Sequence, residues 1–315
     1  MIQELYPDSV KDAFLQAMNL AVPVLRVTRL TKGYSTECWR IDLVQSSFLM
    51  KIALRDQDTH TFARLTNSVN IAIKAGVVTP MIIDKTLGST INGRNLLIQE
   101  WLEGIDCEEI LPKSSQIFRD MVFYRLGEVL GSLHAGTSST HFSHIDGSDM
   151  SSDIKTYLQT ILVKVVKDTT DTHLWDSRKM HVFEQSVSSY IQKLSKPVIP
   201  RLSHLDIHLP NMLVLPNERV GLLDFEHARF ADPVEDFIKL HVWVFPQYPE
   251  QKAMLLAGYS NYMTWCEEAQ VRLKIHLAIY LFSALVYFIK YEPTYVCTWL
   301  VYMRNVLKEE WDILL

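Results

Sequence analysis

The sequence is short of several features, and each shortage argues against a class of protein. Its four cysteines stand far apart, without the paired spacing of zinc sites or redox dithiols. Twelve Pro and 11 Gly among 315 residues are too few for a collagenous or low-complexity chain. With 31 Lys and Arg against 36 Asp and Glu, the chain lacks the basic excess of a general nucleic-acid binder. We therefore expect a globular protein with reduced thiols and no nucleic-acid partner.

Long hydrophobic runs are also scarce. The longest extends from Ile275 to Ile289, between Lys274 and Lys290. A membrane-spanning helix needs about 20 apolar residues, so we expect this shorter run to form a buried helix. The first residues, MIQELYPDSVKDAF, have no basic stretch followed by an apolar one and do not resemble a secretory signal. These features favour a cytoplasmic protein without a membrane partner.

Charge is distributed unevenly along the chain. Residues 1–105 carry 11 basic and 10 acidic side chains, a net charge of +1, whereas residues 106–315 carry 20 and 26, a net charge of −6. The acidity of the second part favours a cationic partner, although a solvated acidic surface gives the same sum.

The first hundred residues have the pattern of an antiparallel sheet with helices added. A helical stretch at 8–20, with Asp8 as its N-cap, comes first, and a second helix is predicted at 59–75, ended by Gly76. Short β-branched or aromatic runs predict strands at 24–30, 37–44, 48–54, 77–84 and 95–102.

After Ser114 nearly all apolar residues have helical spacing. The exception is a hairpin of two short strand-like runs, 212–216 and 220–225. We therefore predict an α+β protein with a small antiparallel-sheet lobe over 1–102 and a large, mainly helical lobe over 103–315.

The most informative polar residues flank this hairpin. Asp206 and Asn211 precede its first strand, and Asp224 follows its second. Because both positions lie at one end of the hairpin, their side chains can converge. Mg²⁺ takes oxygen ligands, commonly one or two carboxylates together with substrate phosphates, so Asn211 and Asp224 are candidate metal ligands. Asp206 is then left to accept a proton from an attacking hydroxyl.

The segment HLDIHLPNMLVLPNERVGLLDFEHARFADPVEDF resembles the aminoglycoside phosphotransferase and choline kinase group of small-molecule kinases. It matches their H-x-D-x-x-x-x-N and D-[FW]-E elements, the separation between them, and the trailing Asp-Pro and Asp. The resemblance implies a bilobal, protein-kinase-like fold with Mg²⁺ as cofactor and ATP or GTP as co-substrate. It implies that Asp206 is the catalytic base and that Asn211 and Asp224 hold the metal.

The same resemblance implies a phosphate-binding region in the first lobe. Lys51, on the third predicted strand, would align the nucleotide phosphates, and the loop containing Gly33, Ser35 and Thr36 would cover them. Each has a plainer interpretation. Lys51 alone could be an edge-strand lysine, and a loop with a single Gly could be an ordinary hairpin turn.

Backbone groups near Glu100 and Leu102 would bind the adenine edge in such a kinase. One expected residue is absent, since no Glu occurs between Lys51 and Glu100, and Leu65 stands where the family pairs a helix Glu with the lysine. Asp56 or Asp58 could substitute, or the nucleotide alone could orient Lys51.

Other polar residues near the hairpin receive structural interpretations. His204 is expected to hold the catalytic loop by hydrogen bonds, and Asp236 to fix the backbone nearby. A zinc site of His204 and His208 is not expected, because the catalytic-loop motif already explains both.

An acceptor would lie in the helical lobe, where carboxylates or aromatic faces can hold an ammonium group. The candidate acceptor-binding residues are Glu226, Glu235 and Trp243, followed by Glu267 and Glu268. Most aromatic residues in this region are also explained as packing within amphipathic helices.

Together these features predict a kinase that transfers the γ-phosphoryl of ATP or GTP to a hydroxyl of a small, amine-bearing molecule such as an aminoglycoside-like antibiotic. One alternative is a choline-, ethanolamine- or thiamine-type metabolite kinase. Another is a catalytically inert nucleotide-binding relative that acts by interaction. A protein kinase is disfavoured because no A-P-E-type segment follows Asp224. The sequence predicts no oligomeric state.

Overall fold

A computed structural model describes residues 4–30, 36–54, 58–83 and 86–311. Its helices are α1 (Pro7–Met18), α2 (Asp58–Lys74), α3 (Cys107–Ile110), α4 (Gln116–Ala135), α5 (Ile154–Thr170), α6 (Ser177–Lys193), α7 (Asp236–Lys239), α8 (Gln251–Tyr259), α9 (Glu267–Tyr291) and α10 (Val296–Trp311). Its strands are β1 (Arg26–Leu30), β2 (Thr36–Asp42), β3 (Ser47–Ala53), β4 (Thr90–Ile91), β5 (Arg94–Glu100), β6 (Ile105–Asp106), β7 (Arg201–Ser203), β8 (Met212–Val214), β9 (Val220–Leu222) and β10 (Arg229–Ala231).

Five strands form an antiparallel sheet in the order β1-β2-β3-β5-β4. Side chains alternate between its faces, so one face packs against α1 and buries Phe14, Trp39 and Met50 in a small hydrophobic cluster. Lys51 lies on β3 between Cys38 of β2 and Leu97 of β5. The register therefore places Lys51 on the face opposite the neighbouring Met50.

The N-cap predicted for α1 is wrong by two residues. Tyr6 occupies the cap position without a side-chain hydrogen bond, and Asp8 lies in the first turn. Pro7 explains the shift, because its fixed φ and missing N–H suit the first position of a helix.

The strand predicted at 77–84 is wrong over its described residues, 77–83. Pro80 has no N–H to donate to a ladder, and the segment makes only an isolated bridge from Ile82 to Gln99. The short β4 completes the five-strand sheet instead, in a tight hairpin with β5.

Helices α4 and α8 make the closest helix contact of the second part. A Cβ built on Gly127 would lie 2.0 Å from the Leu255 carbonyl oxygen, and one built on Gly258 would lie 2.0 Å from that of Tyr124. Glycine at both positions therefore lets the two backbones approach where no other residue would fit. This contact brings Tyr259, at the end of α8, next to α4.

Helix α9 contains the apolar run noted in the sequence. In the described part of the chain it is the one helix long and apolar enough to cross a membrane. It extends over 25 residues rather than the shorter run alone, and 56% of its most apolar window is buried inside the protein. Ile275 and Phe282 lie in the large core, so the predicted buried helix is confirmed.

The predicted hairpin is present as β8 and β9, with Met212 opposite Leu222. Both strands are shorter than predicted, since Pro216 begins a turn in which Asn217 has a left-handed φ of 66°. The third strand of this small sheet is β6, which follows directly on the first sheet in the chain. All four cysteines are free.

Candidate active site

The loop that follows β7 is fixed from below by one buried carboxylate. Asp236, 1% exposed, accepts hydrogen bonds from the backbone N–H of His204 at 3.0 Å and of Leu205 at 2.6 Å. Nε2 of His134 lies 3.0 Å from the same carboxylate, and Nδ1 of His134 lies 3.0 Å from the Tyr259 hydroxyl. These contacts confirm the prediction that Asp236 fixes the backbone of the loop.

Leu205 shows why the loop needs such an anchor. Its φ is +65°, a left-handed conformation that costs a branched residue free energy. The short hydrogen bond from its N–H to Asp236 holds the turn in that conformation. Asp206 follows directly in the chain and is 9% exposed.

His204 joins this loop to the segment before Asp224. Its Nε2 donates to the Leu223 carbonyl oxygen at 2.7 Å, and its Nδ1 accepts the N–H of Asp206 at 3.2 Å. A ring that donates at one nitrogen and accepts at the other is neutral. Burial lowers the pKa of His204, which agrees with this assignment. The predicted structural role of His204 is confirmed.

Asp206 is held by three side chains. Its Oδ1 contacts Lys239 Nζ and lies 3.2 Å from His208 Nε2, and its Oδ2 accepts a hydrogen bond from Asn211 Nδ2 at 3.0 Å. Burial opposes ionisation of this carboxyl, but the hydrogen bond from His208 and the positive charge of Lys239 outweigh it and hold the pKa of Asp206 well below its usual range. Asp206 is therefore a carboxylate, the form that accepts a proton.

The ends of the β8–β9 hairpin bring Asn211 and Asp224 together in the fold. Asn211 directly precedes β8, and its backbone carbonyl accepts the N–H of Leu223 at 2.9 Å. Asp224 is the next residue and has a left-handed backbone, with φ +62° and ψ 68°. The two candidate metal ligands therefore lie at the same end of the hairpin, as their spacing predicts.

Asp224 also connects the hairpin to the first sheet. Its Oδ1 lies 2.7 Å from Lys51 Nζ, and the Lys51 side chain is 8% exposed. Burial acts to lower the pKa of Lys51, but the adjacent Asp224 carboxylate more than compensates and raises it. Lys51 is consequently a charged group whose counter-ion comes from 173 residues along the chain.

Asp224 is the partner that the structure gives Lys51. Leu65 is 2% exposed and packs in the core, so it offers no partner. Asp56 lies outside the described residues, as does the side chain of Asp58, so their role in orienting Lys51 stays a prediction. The sequence predicts Asp224 only as a metal ligand, because no local pattern links it to a strand so far away.

The structure describes some of the remaining residues predicted to bind the nucleotide. Gly33 and Ser35 lie outside the described residues, whereas Thr36 begins β2 and is buried beside Cys38, with Oγ1 and Sγ 3.5 Å apart. At the other end of the sheet, the N–H of Glu100 donates to the Met81 carbonyl at 2.9 Å. That N–H is occupied within the fold.

Leu102 follows the sheet and contacts the hairpin. A Cβ built on Gly221 of β9 would lie 3.0 Å from Leu102 Cδ2. The predicted hinge therefore passes directly over the strand that leads to Asp224.

The candidate acceptor carboxylates differ in their surroundings. Glu226, with a side chain 14% exposed, lies 3.5 Å from His227 Nε2 and contributes to the negative field at Lys51. Glu235 is buried, accepts a hydrogen bond from the Tyr157 hydroxyl at 2.7 Å and lies 3.3 Å from Arg229. Glu226 therefore lies near the nucleotide-side residues, whereas Glu235 is tied into the helical scaffold.

Glu268 is also engaged. Its Oε1 accepts the backbone N–H groups of Ser195 and Lys196 at 2.9 and 3.0 Å. Glu267 is exposed at the start of α9.

Trp243 lies in an aromatic cluster. Its ring stacks on buried Trp299 with centroids 5.3 Å apart, and its Nε1–H donates to the Tyr280 hydroxyl at 3.0 Å. Burial raises the pKa of Tyr280 to about 12, and the charge of Asp206 contributes to the increase. The cluster therefore lies within electrostatic range of the candidate base.

Lys239 is the residue near Asp206 that the sequence patterns miss. It ends α7, three residues after Asp236, and a signal was available: residues three apart lie on one face of a helix. A helix that begins with the anchor of the loop can direct a second side chain at the same loop.

The donor set at the hairpin suits a hard cation bound together with phosphates. Among the described residues no group of three His, Cys, Asp or Glu is arranged to hold a metal ion. Asn211 and Asp224 offer one amide oxygen and one carboxylate, which matches Mg²⁺ sites completed by substrate phosphates. The residues present fit that use and do not fit an all-protein metal cage.

Comparison with known proteins identifies the family that the motif segment resembles. The family model described as "Phosphotransferase enzyme family" (APH) matches residues 26–269, which include the sheet, the catalytic loop and the hairpin. Among curated proteins, none matches the chain.

Three solved structures illustrate the likeness in fold. A putative fructosamine-3-kinase from Haemophilus somnus 129PT is 13% identical, with 96% of this chain and 97% of that chain covered and a TM-score of 0.70. A thermostable mutant of aminoglycoside phosphotransferase APH(4)-Ia, in ternary complex with AMP-PNP and hygromycin B, is 14% identical with 95% and 98% covered and a TM-score of 0.74. The streptomycin–ATP complex of APH(2")-IIa is 14% identical with 96% and 97% covered and a TM-score of 0.67. The predicted α+β, protein-kinase-like fold is confirmed.

Proposed function

This chain belongs to the phosphotransferase enzyme family, and from that premise we propose that it transfers the γ-phosphoryl of ATP or GTP to a hydroxyl of a small molecule. The observation that carries the proposal is the 2.7 Å contact between Lys51 of the sheet and Asp224 of the hairpin, beside the loop that presents ionised Asp206. Phosphoryl transfer depends mainly on positioning and charge neutralisation, and these groups supply both.

In this proposal each residue has one task. Lys51 aligns the nucleotide phosphates, and Asp206 accepts the proton of the attacking hydroxyl. The loop with Gly33 and Ser35 covers the phosphates, and Thr36 at the start of β2 marks where that loop ends. The backbone near Glu100 and Leu102 receives the adenine edge, through groups other than the occupied N–H of Glu100.

Asn211 and Asp224 would hold Mg²⁺. When bound, the ion supplies charge neutralisation between the phosphates. Asn211 donates to Asp206 through Nδ2, which leaves its Oδ1 as the atom available to a metal. Asp224 keeps a second carboxylate oxygen beyond the one that contacts Lys51.

For the acceptor we propose an amine-bearing alcohol, with aminoglycoside-like antibiotics first. The net charge of −6 over residues 106–315 supports a cationic acceptor. The solved structures named above are those of two aminoglycoside phosphotransferases and a fructosamine-3-kinase, and two of them hold hygromycin B or streptomycin. The aromatic cluster of Trp243 equally suits a choline-, ethanolamine- or thiamine-type acceptor.

A second candidate function is an inert nucleotide-binding relative that acts by interaction. Buried Leu65 favours it, because the helix residue that normally orients the lysine is apolar here. The Lys51–Asp224 pair argues against it, since the lysine is oriented by another route.

We also propose that the chain divides into two lobes between residues 102 and 103, and that the protein is cytoplasmic.

Thermal melting with nucleotide tests the proposal first. A ligand present at about 100 times its Kd stabilises the folded state by about 2.7 kcal/mol. We expect MgATP or MgGTP to raise Tm, and Asp224→Ala to abolish the increase. Asp12→Ala, on an exposed position of α1, is the matched control and should keep the full increase.

Acceptor turnover completes the test. ADP or GDP release would be measured with hygromycin B, streptomycin, a fructosamine, choline, ethanolamine and thiamine. Release that needs one acceptor and is lost in Asp224→Ala supports the kinase. A Mg²⁺-dependent rise in Tm without turnover on any alcohol would favour the inert relative, and no rise with either nucleotide would contradict both.

A further inference from the structure

Lys239 contacts the candidate base Asp206 from a position just beyond the segment that carries the catalytic motif. Its Nζ contacts Asp206 Oδ1, and the two side chains are 27% and 13% exposed. Lys239 is thus a partly exposed ammonium on a largely buried carboxylate.

The helix that carries Lys239 is itself firmly held. The turn before α7 is closed by a capping box between Asp232 and Glu235, and Arg272 donates to the Asp232 carboxylate at 2.7 Å. Asp236 begins the helix and fixes the backbone of the loop. One short helix therefore fixes the loop backbone with its first residue and contacts the Asp206 side chain with its last.

The remaining contacts of Asp206 leave a task for Lys239. Asn211 binds Oδ2 but is also a candidate metal ligand, and His208 lies on Oδ1 at a longer 3.2 Å. Both come from the same loop as Asp206 and move with it. Lys239 is the contact that connects the Asp206 carboxylate to a helix outside the loop.

We propose that Lys239 is a positioning residue, which holds the Asp206 carboxylate in the orientation that receives the proton of the acceptor hydroxyl. The inference rests on the proposed function, because it gives Asp206 the role of base. Lys239 acts through Asp206 and has no separate contact with the transferred group in this role. Its loss should slow the chemical step and leave nucleotide binding intact.

The test measures ADP release from MgATP with water as the acceptor, since water must also lose a proton as it attacks. Lys239→Met should lower kcat by about 10- to 100-fold, the cost of a slightly misplaced catalytic group. The KM for ATP should stay near that of the unmodified protein. Lys239→Arg, which keeps the charge, should recover part of kcat. Lys179→Met, on an exposed position of α6, should change nothing.

A double-mutant cycle separates action through Asp206 from an independent effect. In an Asp206→Asn background, Lys239→Met should cause no further loss, because residues that act as a unit are not additive. Full additivity would overturn the inference, as would an unchanged kcat in Lys239→Met while Asp206→Asn is slow. An Asp206→Asn protein with full activity would instead refute the proposed base, and this inference with it.

Discussion

Two pairs of aspartates in the second part of the chain are treated in opposite ways. Asp232 and Asp236, below the loop, are fully buried and bound by arginine, histidine and backbone N–H groups. Asp206 and Asp224, which lie beside the β8–β9 hairpin and form the upper pair, each contact one lysine and keep some exposure. The lower pair is enclosed by the scaffold, whereas the upper pair keeps solvent access, with side chains 13% and 31% exposed. Burial thus separates the carboxylates that hold the fold from those available for chemistry.

Asp206→Ala should break the upper pair with the largest effect. We expect turnover to fall by about 10²–10⁴-fold, the usual contribution of a general base. Nucleotide binding should be nearly unchanged, and the loss of stability should be smaller than in Asp236→Ala, because the partners Lys239 and His208 are partly exposed. Steady-state kinetics and melting curves check this. A loss of Tm as large as that of Asp236→Ala would erase the distinction between the two pairs.

Asp236→Ala should break the lower pair. It leaves the N–H groups of His204 and Leu205 and the ring of His134 without their acceptor, at a cost of about 3–5 kcal/mol. Urea unfolding would measure this as a lower midpoint with an unchanged m value. Asp12→Ala is the exposed control, and a stability equal to the unmodified protein would contradict the anchoring role.

The pH dependence of folding should follow Asp232. Burial opposes its ionisation, but His276 and Arg272 outweigh burial and lower its pKa in the folded state. Its contribution to stability is therefore full above the unfolded value of about 3.9 and is lost as pH falls through the lower folded value. Arg272→Met should weaken this contribution by about 1–3 kcal/mol and raise the acid-unfolding midpoint. An unchanged midpoint would show that Arg272 does not hold the carboxylate ionised.

Glu268 sharpens the comparison because it repeats the contacts of Asp236 near the surface. It also accepts two backbone N–H groups, from Ser195 and Lys196. Water can replace it there, so Glu268→Ala should cost about 1 kcal/mol or less. Urea unfolding beside Asp236→Ala tests this, and equal losses would mean that burial is not what distinguishes the two sites.

The sequence predicted what is local and missed what is distant. The hairpin, Asp206, Asn211 and Asp224 lie within 19 residues of one another, so their spacing carries their geometry. The strand predicted around Pro80 is wrong. The apolar residues of 77–84 suggested a strand, but Pro80 has no N–H to donate to a neighbouring strand.

Partners across the fold could not be predicted in this way. Lys51 and Asp224 are 173 residues apart, and Asp206 and Lys239 are 33 apart. Nothing in the local patterns records the first pairing, whereas the three-residue spacing of Asp236 and Lys239 offers a signal for the second. Glu235 shows the reverse case, since as a carboxylate of the helical part it is a candidate for the acceptor site, while its side chain is bound by Tyr157 and Arg229.

The Lys51–Asp224 contact places an internal carboxylate on the lysine that would align the phosphates. A phosphate would therefore join Asp224 as a second anionic partner of Lys51. Separating the sheet from the hairpin without any anion on Lys51 would leave a buried ammonium unpaired, which costs a protein about 3–5 kcal/mol. The pair therefore couples the position of the sheet to that of the hairpin through charge.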